Sequence, residues 1–331
     1  MPLATPSSLE APTSARKCSE AHARVSALIL AQIEIADAAS WSPPWHGADP
    51  VPRNALTGRR YHGVNVLALW AAAQADRYAD PCWSSYKQWA TLGAQVRRGE
   101  RGTAVIYYRD LTADDTDTPN GSDDAPRFVA RTSTVFNAAQ VDGAPDLAAS
   151  PRPPALAEPL PVLTAFVAAT GARIIEGGTR AYYVQATDTI HLPPHAAFHS
   201  AEGYGAVFAH ELVHWTGAPH RLQRDLTARF GTHAYAAEEL VAELGSAFIL
   251  ADLGISRRPR QDHAAYVAHW LLLLRADPRA LTTAASHASR AADYLASLQE
   301  AAGVIETERP GFSGEADDRS VKAIPFIKVV A

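Results

Sequence analysis

The stretch APDLAASPRPPALAEPLPV, residues 144 to 162, constrains this chain more than any other, because six of its nineteen residues are proline. Proline removes a backbone donor and fixes φ, so a run this rich in it disfavours both a helix and a central strand and suits a semi-rigid linker. It divides the 331 residues into two halves, each long enough for an ordinary domain. The expected organisation is a disordered lead-in over 1–18, a first domain over 19–145, a linker over 146–160, a second domain over 161–305 and a weakly ordered tail over 306–331.

Nowhere do about 18 apolar residues run together as a membrane helix requires, and the first twenty residues lack the basic start and apolar stretch of a secretory signal. The two cysteines, Cys18 and Cys82, stand far apart without metal-ligand spacing, which argues against a disulfide framework. These features predict a cytoplasmic protein with no membrane contact.

Secondary-structure signals alternate along the chain. SEAHARVSALILAQIEIADA (19–38) has helical spacing and is ended by WSPPWH; YHGVNVLALWAAAQAD (61–76) and SSYKQWATLGAQV (84–96) read as two further helices. TAVIYYR and RFVARTSTVF are rich in strand formers and flank an acidic loop over 111–126. Beyond the linker, LPVLTAFVAATG reads as a helix, 172–193 as two or three short strands, and 202–299 as predominantly helical. The fold class is therefore α+β: an α+β first domain followed by a mostly helical second domain with a small β-sheet.

Within that helical region lies FAHELVHWTG. Residues four apart on a helix share a face, with Cβ atoms roughly 5–6 Å apart, so His210 and His214 can bind one metal ion. Zinc held by three protein ligands keeps a position open for water and lowers the pKa of that water; Glu211 is placed to take its proton. Val207, Phe208, Leu212 and Val213 give the helix a buried face, and Gly217 ends it where the chain must turn back to deliver another ligand. A second helix, AAEELVAELGSAFILADLG, offers Glu238, Glu239 and Glu243. Glu239 and Glu243 are four apart in apolar surroundings, so either can ligate while the other orients a histidine; Glu238 reads as a solvent-facing carboxylate. His191, His195 and His199 are not expected to ligate, since 13 histidines are spread through the chain.

With Asp188, Ile190, Pro193, the HELVHWTG box, His220-Arg221-Leu222, Arg224 and EELVAELG, the stretch from about Tyr182 to Leu253 resembles the zincin-like metallopeptidase domain of ArdC-type antirestriction proteins encoded on conjugative plasmids. That domain is related to the ImmA/IrrE type of intracellular peptidase. The resemblance implies that Glu239 is the third ligand, with Glu243 behind it where Asp or Asn is commoner, or Glu243 as the alternative ligand. It implies one Zn2+ per chain, another divalent ion being the alternative.

The first half resembles the N-terminal ArdC domain, a single-stranded-DNA-binding module also found at the start of some plasmid primases. The matching residues are Trp45, Asn54, Thr57-Gly58, Tyr61-His62-Gly63-Val64-Asn65, Trp83, Lys87-Gln88, Leu92-Gly93, Val96, Arg98-Gly99, Val105, Tyr107-Tyr108 and Phe136-Asn137 with Gln140.

Charge supports a nucleic-acid partner. Residues 51 to 110 hold nine Lys or Arg against four acids, a local balance of +5 within a chain of net charge -5. Five of the seven tryptophans fall between 41 and 89 among these cations, and single-strand binding combines cations that track phosphates with aromatic faces that stack on bases. Candidate DNA contacts are Trp45, Arg59, Arg60, Tyr61, His62, Asn65, Trp83, Lys87, Gln88, Arg97, Arg98 and Arg101; Trp70, in an apolar helix, is expected in the core.

The function this predicts is a single-stranded-DNA-binding antirestriction protein of a mobile element with a zinc peptidase-like domain acting on an unidentified protein or peptide. Two alternatives are a DNA-coating protein whose metal domain serves structure or partner recognition, and a regulatory zinc peptidase without DNA targeting. A nuclease fits less well, because two histidines and one glutamate resemble a single-zinc hydrolase more than the carboxylate-rich sites used on phosphodiesters.

Overall fold

A computed structural model describes residues 27, 50–110, 128–145, 159–225, 232–255, 272–277 and 279–301. Apart from Ala27 the expected helix over 19–38 lies outside these residues, as do the acidic loop, the centre of the linker, the tail, Cys18, Trp41 and Trp45.

The first half is built on a four-stranded sheet. Strand β1 (Arg53–Asn54) runs parallel to β2 (Cys82–Ser85), which pairs antiparallel with β5 (Phe128–Asn137), and β5 with the edge strand β4 (Thr103–Asp110). Helix α1 (Val64–Asp76) packs on the sheet: Leu69, Trp83, Val105 and Val135 form one buried cluster. Asn65 fastens the helix to the sheet edge, its amide donating to the carbonyl of Ile106 (2.6 Å) and accepting from the Ile106 N–H (2.8 Å). One half-buried side chain thereby satisfies both backbone groups of a buried edge-strand residue.

The segment expected as a single helix over 84–96 is divided. β2 precedes a six-residue helix α2 (Tyr86–Thr91), and a turn leads from it to β3 (Gln95–Val96), which pairs with β6 (Val141–Asp142). The cause is local: Ser85 accepts from the Gln88 N–H while the Gln88 side chain accepts from the Ser85 N–H, a capping box that starts the helix two residues later than apolar spacing suggests.

After the linker, α3 (Pro159–Thr170) leads into a three-stranded sheet of order β7 (Arg173–Glu176), β9 (Thr189–Leu192), β8 (Tyr182–Val184). Helices α4 (Ala201–Thr216), α5 (His233–Asp252) and α6 (Ala280–Ala301) follow. Ser200 and Thr232 cap α4 and α5 by accepting backbone N–H groups in the first turn. The two helices approach closely at Gly245, where a Cβ would stand 2.7 Å from Val213 Cγ2, and Ser246 Oγ donates to the Ala206 carbonyl (3.1 Å).

Among the described residues the largest buried cluster crosses from one half to the other, joining Val64, Val66 and Trp70 of α1 to Phe248, Leu281, Ala285 and Ala288. Polar contacts reinforce the seam. Arg60 pairs with Asp252 at the end of α5, the Gly63 N–H donates to Ser289 Oγ (2.8 Å), and His62 faces Asp293 at 3.6 Å. Among the described residues no helix is long and apolar enough to cross a membrane.

Candidate metal centre

Helix α4 turns His210 and His214 toward α5. Their Nε2 atoms lie 3.2 Å apart, and Glu239 approaches both, Oε2 at 3.3 Å from His210 Nε2 and Oε1 at 3.6 Å from His214 Nε2. Ligand atoms of these three residues all fall within 4.8 Å of one another. An ion with tetrahedral bonds of about 2.0–2.1 Å keeps its ligand atoms about 3.3 Å apart, so the observed spacing and the donor set of two imidazoles and one carboxylate fit a divalent metal. Glu211, 5% exposed, follows the first histidine directly.

Two further carboxylates reach the outer sides of the imidazoles. Glu243, buried, has Oε2 3.8 Å from His210 Nδ1. Glu238 has Oε1 3.1 Å from His214 Nδ1, and only 12% of its side chain is exposed, against the solvent-facing position expected for it. The reason is Arg224, fourteen residues upstream, whose Nε and Nη2 donate to the two Glu238 oxygens at 3.0 Å each. Burial pushes Glu238 up, but hydrogen bonds and charge from His214 and Arg224 outweigh it and hold the carboxyl below the usual range. Burial likewise pushes Glu239 up, and the hydrogen bond from His210 with the charges of both histidines holds it down at about 2.

The turn after α4 is anchored by a second arginine. Arg221 pairs with Asp188 in the β8–β9 turn, donates to Tyr183 Oη (3.2 Å) and lies 3.7 Å above the Trp215 ring. Asp188 adopts a left-handed backbone, φ 49°, which aspartate tolerates. His191 stacks on Tyr182 and His195 packs against Tyr204; neither joins the three-ligand group.

The candidate DNA residues separate into two sets. Trp83 is 1% exposed in the core, Asn65 holds the β4 edge, and Gln88 belongs to the capping box. Tyr61 Oη donates to the Trp83 carbonyl (3.3 Å), and Asn54 donates to Gln88 Oε1 (3.1 Å) and accepts from the N–H groups of Leu56 and Thr57. These side chains are taken up by contacts within the fold. Arg60 and His62 lie at the seam, and Arg97 is engaged by Glu100 at 2.8 Å and by the Ala139 carbonyl. Arg59, Lys87, Arg98 and Arg101 are exposed, with Tyr86 beside Lys87 at 51%. Trp70 and Trp89 are buried.

The N-terminal domain of the anti-restriction factor ArdC matches residues 19–136, and the zincin-like metallopeptidase family matches residues 161–287. Protein y4eC of Sinorhizobium fredii, described as uncharacterised, is 45% identical over 285 residues, spanning 83% of this chain and 91% of its own length. DNA primase TraC of Escherichia coli is 39% identical over 299 residues, which are 84% of this chain and 27% of the primase. The metal-free crystal structure of the antirestriction ArdC protein from plasmid R388 superposes with a TM-score of 0.70 at 37% identity, covering 85% of this chain and 98% of that one. Its Mn(II)-bound form gives 0.67 at 38% identity, covering 84% and 97%. This chain belongs to the ArdC family of antirestriction proteins.

Proposed function

We propose that the chain is a single-stranded-DNA-binding protein that protects incoming DNA of a mobile element from host restriction, and that its second half is a zinc peptidase acting on a protein or peptide in the cytoplasm. The first domain spans 19–145 and the second 161–305. The observation that carries the reading is the convergence of His210, His214 and Glu239 beside the buried Glu211, in a chain whose other half is of ArdC type.

His210 and His214 offer imidazole nitrogens and Glu239 a carboxylate to one divalent ion, for which His2Glu suits zinc. Such an ion, when bound, supplies Lewis acidity. Glu211 takes the proton from the attacking water and returns it to the leaving amine. On the first half, Arg59, Lys87, Arg98 and Arg101 track phosphates while Tyr86 offers a ring face for stacking.

The test uses the full chain. A labelled single-stranded oligonucleotide and its duplex are titrated at two salt concentrations, and Arg59→Ala and Lys87→Ala are compared with the parent. Tight, salt-sensitive binding of the single strand, weakened by each variant, supports the reading; no binding removes the DNA-directed part and leaves the regulatory peptidase. Protection that survives Glu211→Gln with the metal still bound assigns the second half a binding role instead.

A further inference from the structure

Glu238 and Glu239 are consecutive on α5, and together they flank one imidazole. Glu239 Oε1 faces His214 Nε2 at 3.6 Å while Glu238 Oε1 faces Nδ1 at 3.1 Å. A histidine that ligates through Nε2 must carry its proton on Nδ1 when neutral, and a carboxylate at hydrogen-bond distance from Nδ1 selects that tautomer and holds the ring plane. Glu238 cannot rotate away, because Arg224 grips both its oxygens.

Arg224 is itself fixed by the helix that carries the histidine. Its Nη1 donates to Thr216 Oγ1 (2.9 Å), its Nη2 to the Val213 carbonyl (2.5 Å) and its backbone N–H to the Gly217 carbonyl (2.9 Å). The arginine closes the last turn of α4 and, through Glu238, ties it to α5. His210 has a different outer neighbour, Glu243, at 3.8 Å from Nδ1.

We infer that Glu238, braced by Arg224, is the positioning residue for His214, setting the tautomer and ring orientation in which Nε2 is presented to the metal. The inference rests on the assignment of His210, His214 and Glu239 as ligands. Glu238 touches no reacting atom; it acts through the imidazole. Loss of such an outer partner weakens metal binding about 10–100-fold.

Zn2+ is titrated into metal-free full-length protein against a chromogenic chelator, and the His214 tautomer is read in the metal-free protein from long-range 15N–1H correlations of the imidazole. Glu238→Ala is expected to weaken Zn2+ binding by about 10–100-fold and to abolish the single Nδ1–H tautomer. Glu238→Gln, whose carbonyl still accepts from Nδ1 although its amide nitrogen no longer accepts from Arg224 Nε, is expected to restore the tautomer and at least part of the affinity, a rescue that a purely structural ion pair does not predict. Because Glu238→Ala leaves Arg224 buried without its partner, the double variant Glu238→Leu with Arg224→Leu keeps the test open if the single variant unfolds. It is expected to fold and show the same loss. Folded Glu238→Ala or the double variant binding Zn2+ within twofold of the parent overturns the inference. A parent that binds no Zn2+, or binds it as well after His210→Ala, overturns the ligand assignment and the inference with it.

Discussion

Trp70, on α1, lies against Phe248, on α5, with ring centroids 5.6 Å apart. The two residues belong to opposite halves of the chain, and around them a single buried cluster continues from one half into the other. The two halves therefore bury apolar surface against each other in one shared core.

Urea unfolding followed by far-ultraviolet circular dichroism and by tryptophan fluorescence is therefore expected to give one coincident transition. Trp70→Ala should lower the stability by about 3–5 kcal/mol, as for other buried aromatic truncations. Two separated transitions, or a loss below about 1 kcal/mol, would show the halves to be independent units.

Asn65 makes two hydrogen bonds to Ile106 at an edge strand. Replacing it with alanine strands both backbone groups, at about 1–3 kcal/mol for each buried group left unpaired. The urea midpoint should fall, while DNA affinity measured on the folded protein should change less than in Arg59→Ala; equal loss of affinity would make Asn65 a contact.

Gly245 permits the close approach of α4 and α5 beside Val213, one residue from His214. Gly245→Ala is expected to cost about 1–3 kcal/mol through overpacking and to weaken Zn2+ binding, because the helices that carry His214 and Glu239 must separate. Calorimetry with and without zinc checks both effects; unchanged melting and affinity would show that the helices shift freely.

Hydrogen bonds from Arg221 hold the Asp188 carboxyl below its ordinary value, against a smaller upward push from burial and with help from Tyr183. A depressed carboxylate stabilises the fold above its unfolded pKa of about 3.9 and loses that contribution as pH falls through the folded value. The melting temperature should decline below about pH 4, and less steeply in Asp188→Asn, which keeps the left-handed backbone tolerable. A slope identical to the parent's would remove Asp188 from the acid response.

Burial, with Asp80 nearby, pushes the Cys82 thiol up to about 12. In a Cys18→Ser background, iodoacetamide at pH 8 should leave the native protein unmodified and label it once denaturant is added. Rapid labelling of the native form would show that β2 opens.

Much of this was readable from residues that depend on their own neighbours in sequence. His210 and His214 fall on one face because helix geometry puts them there, and Gly217 marks the end of α4. Where the sequence misled, a distant residue decides. Glu238 has the pattern of an exposed helical acid, and only Arg224, folded back from the preceding turn, brings it to His214. Trp83 sits among cations in sequence but is enclosed by Leu69, Val105 and Val135. The start of α2 was legible after all, in the Ser85–Gln88 spacing of a capping box, a local signal stronger than the apolar period that competes with it.

The seam at Arg60, Gly63, Asp252 and Ser289 also limits how such proteins can be recombined. A first half grafted onto a foreign second half would arrive with an arginine lacking its acid, a backbone N–H lacking its hydroxyl and an indole lacking its aromatic neighbour. Exchange by recombination should then favour transfer of both halves as one cassette, and the region of TraC that matches this chain extends over 84% of it, across both.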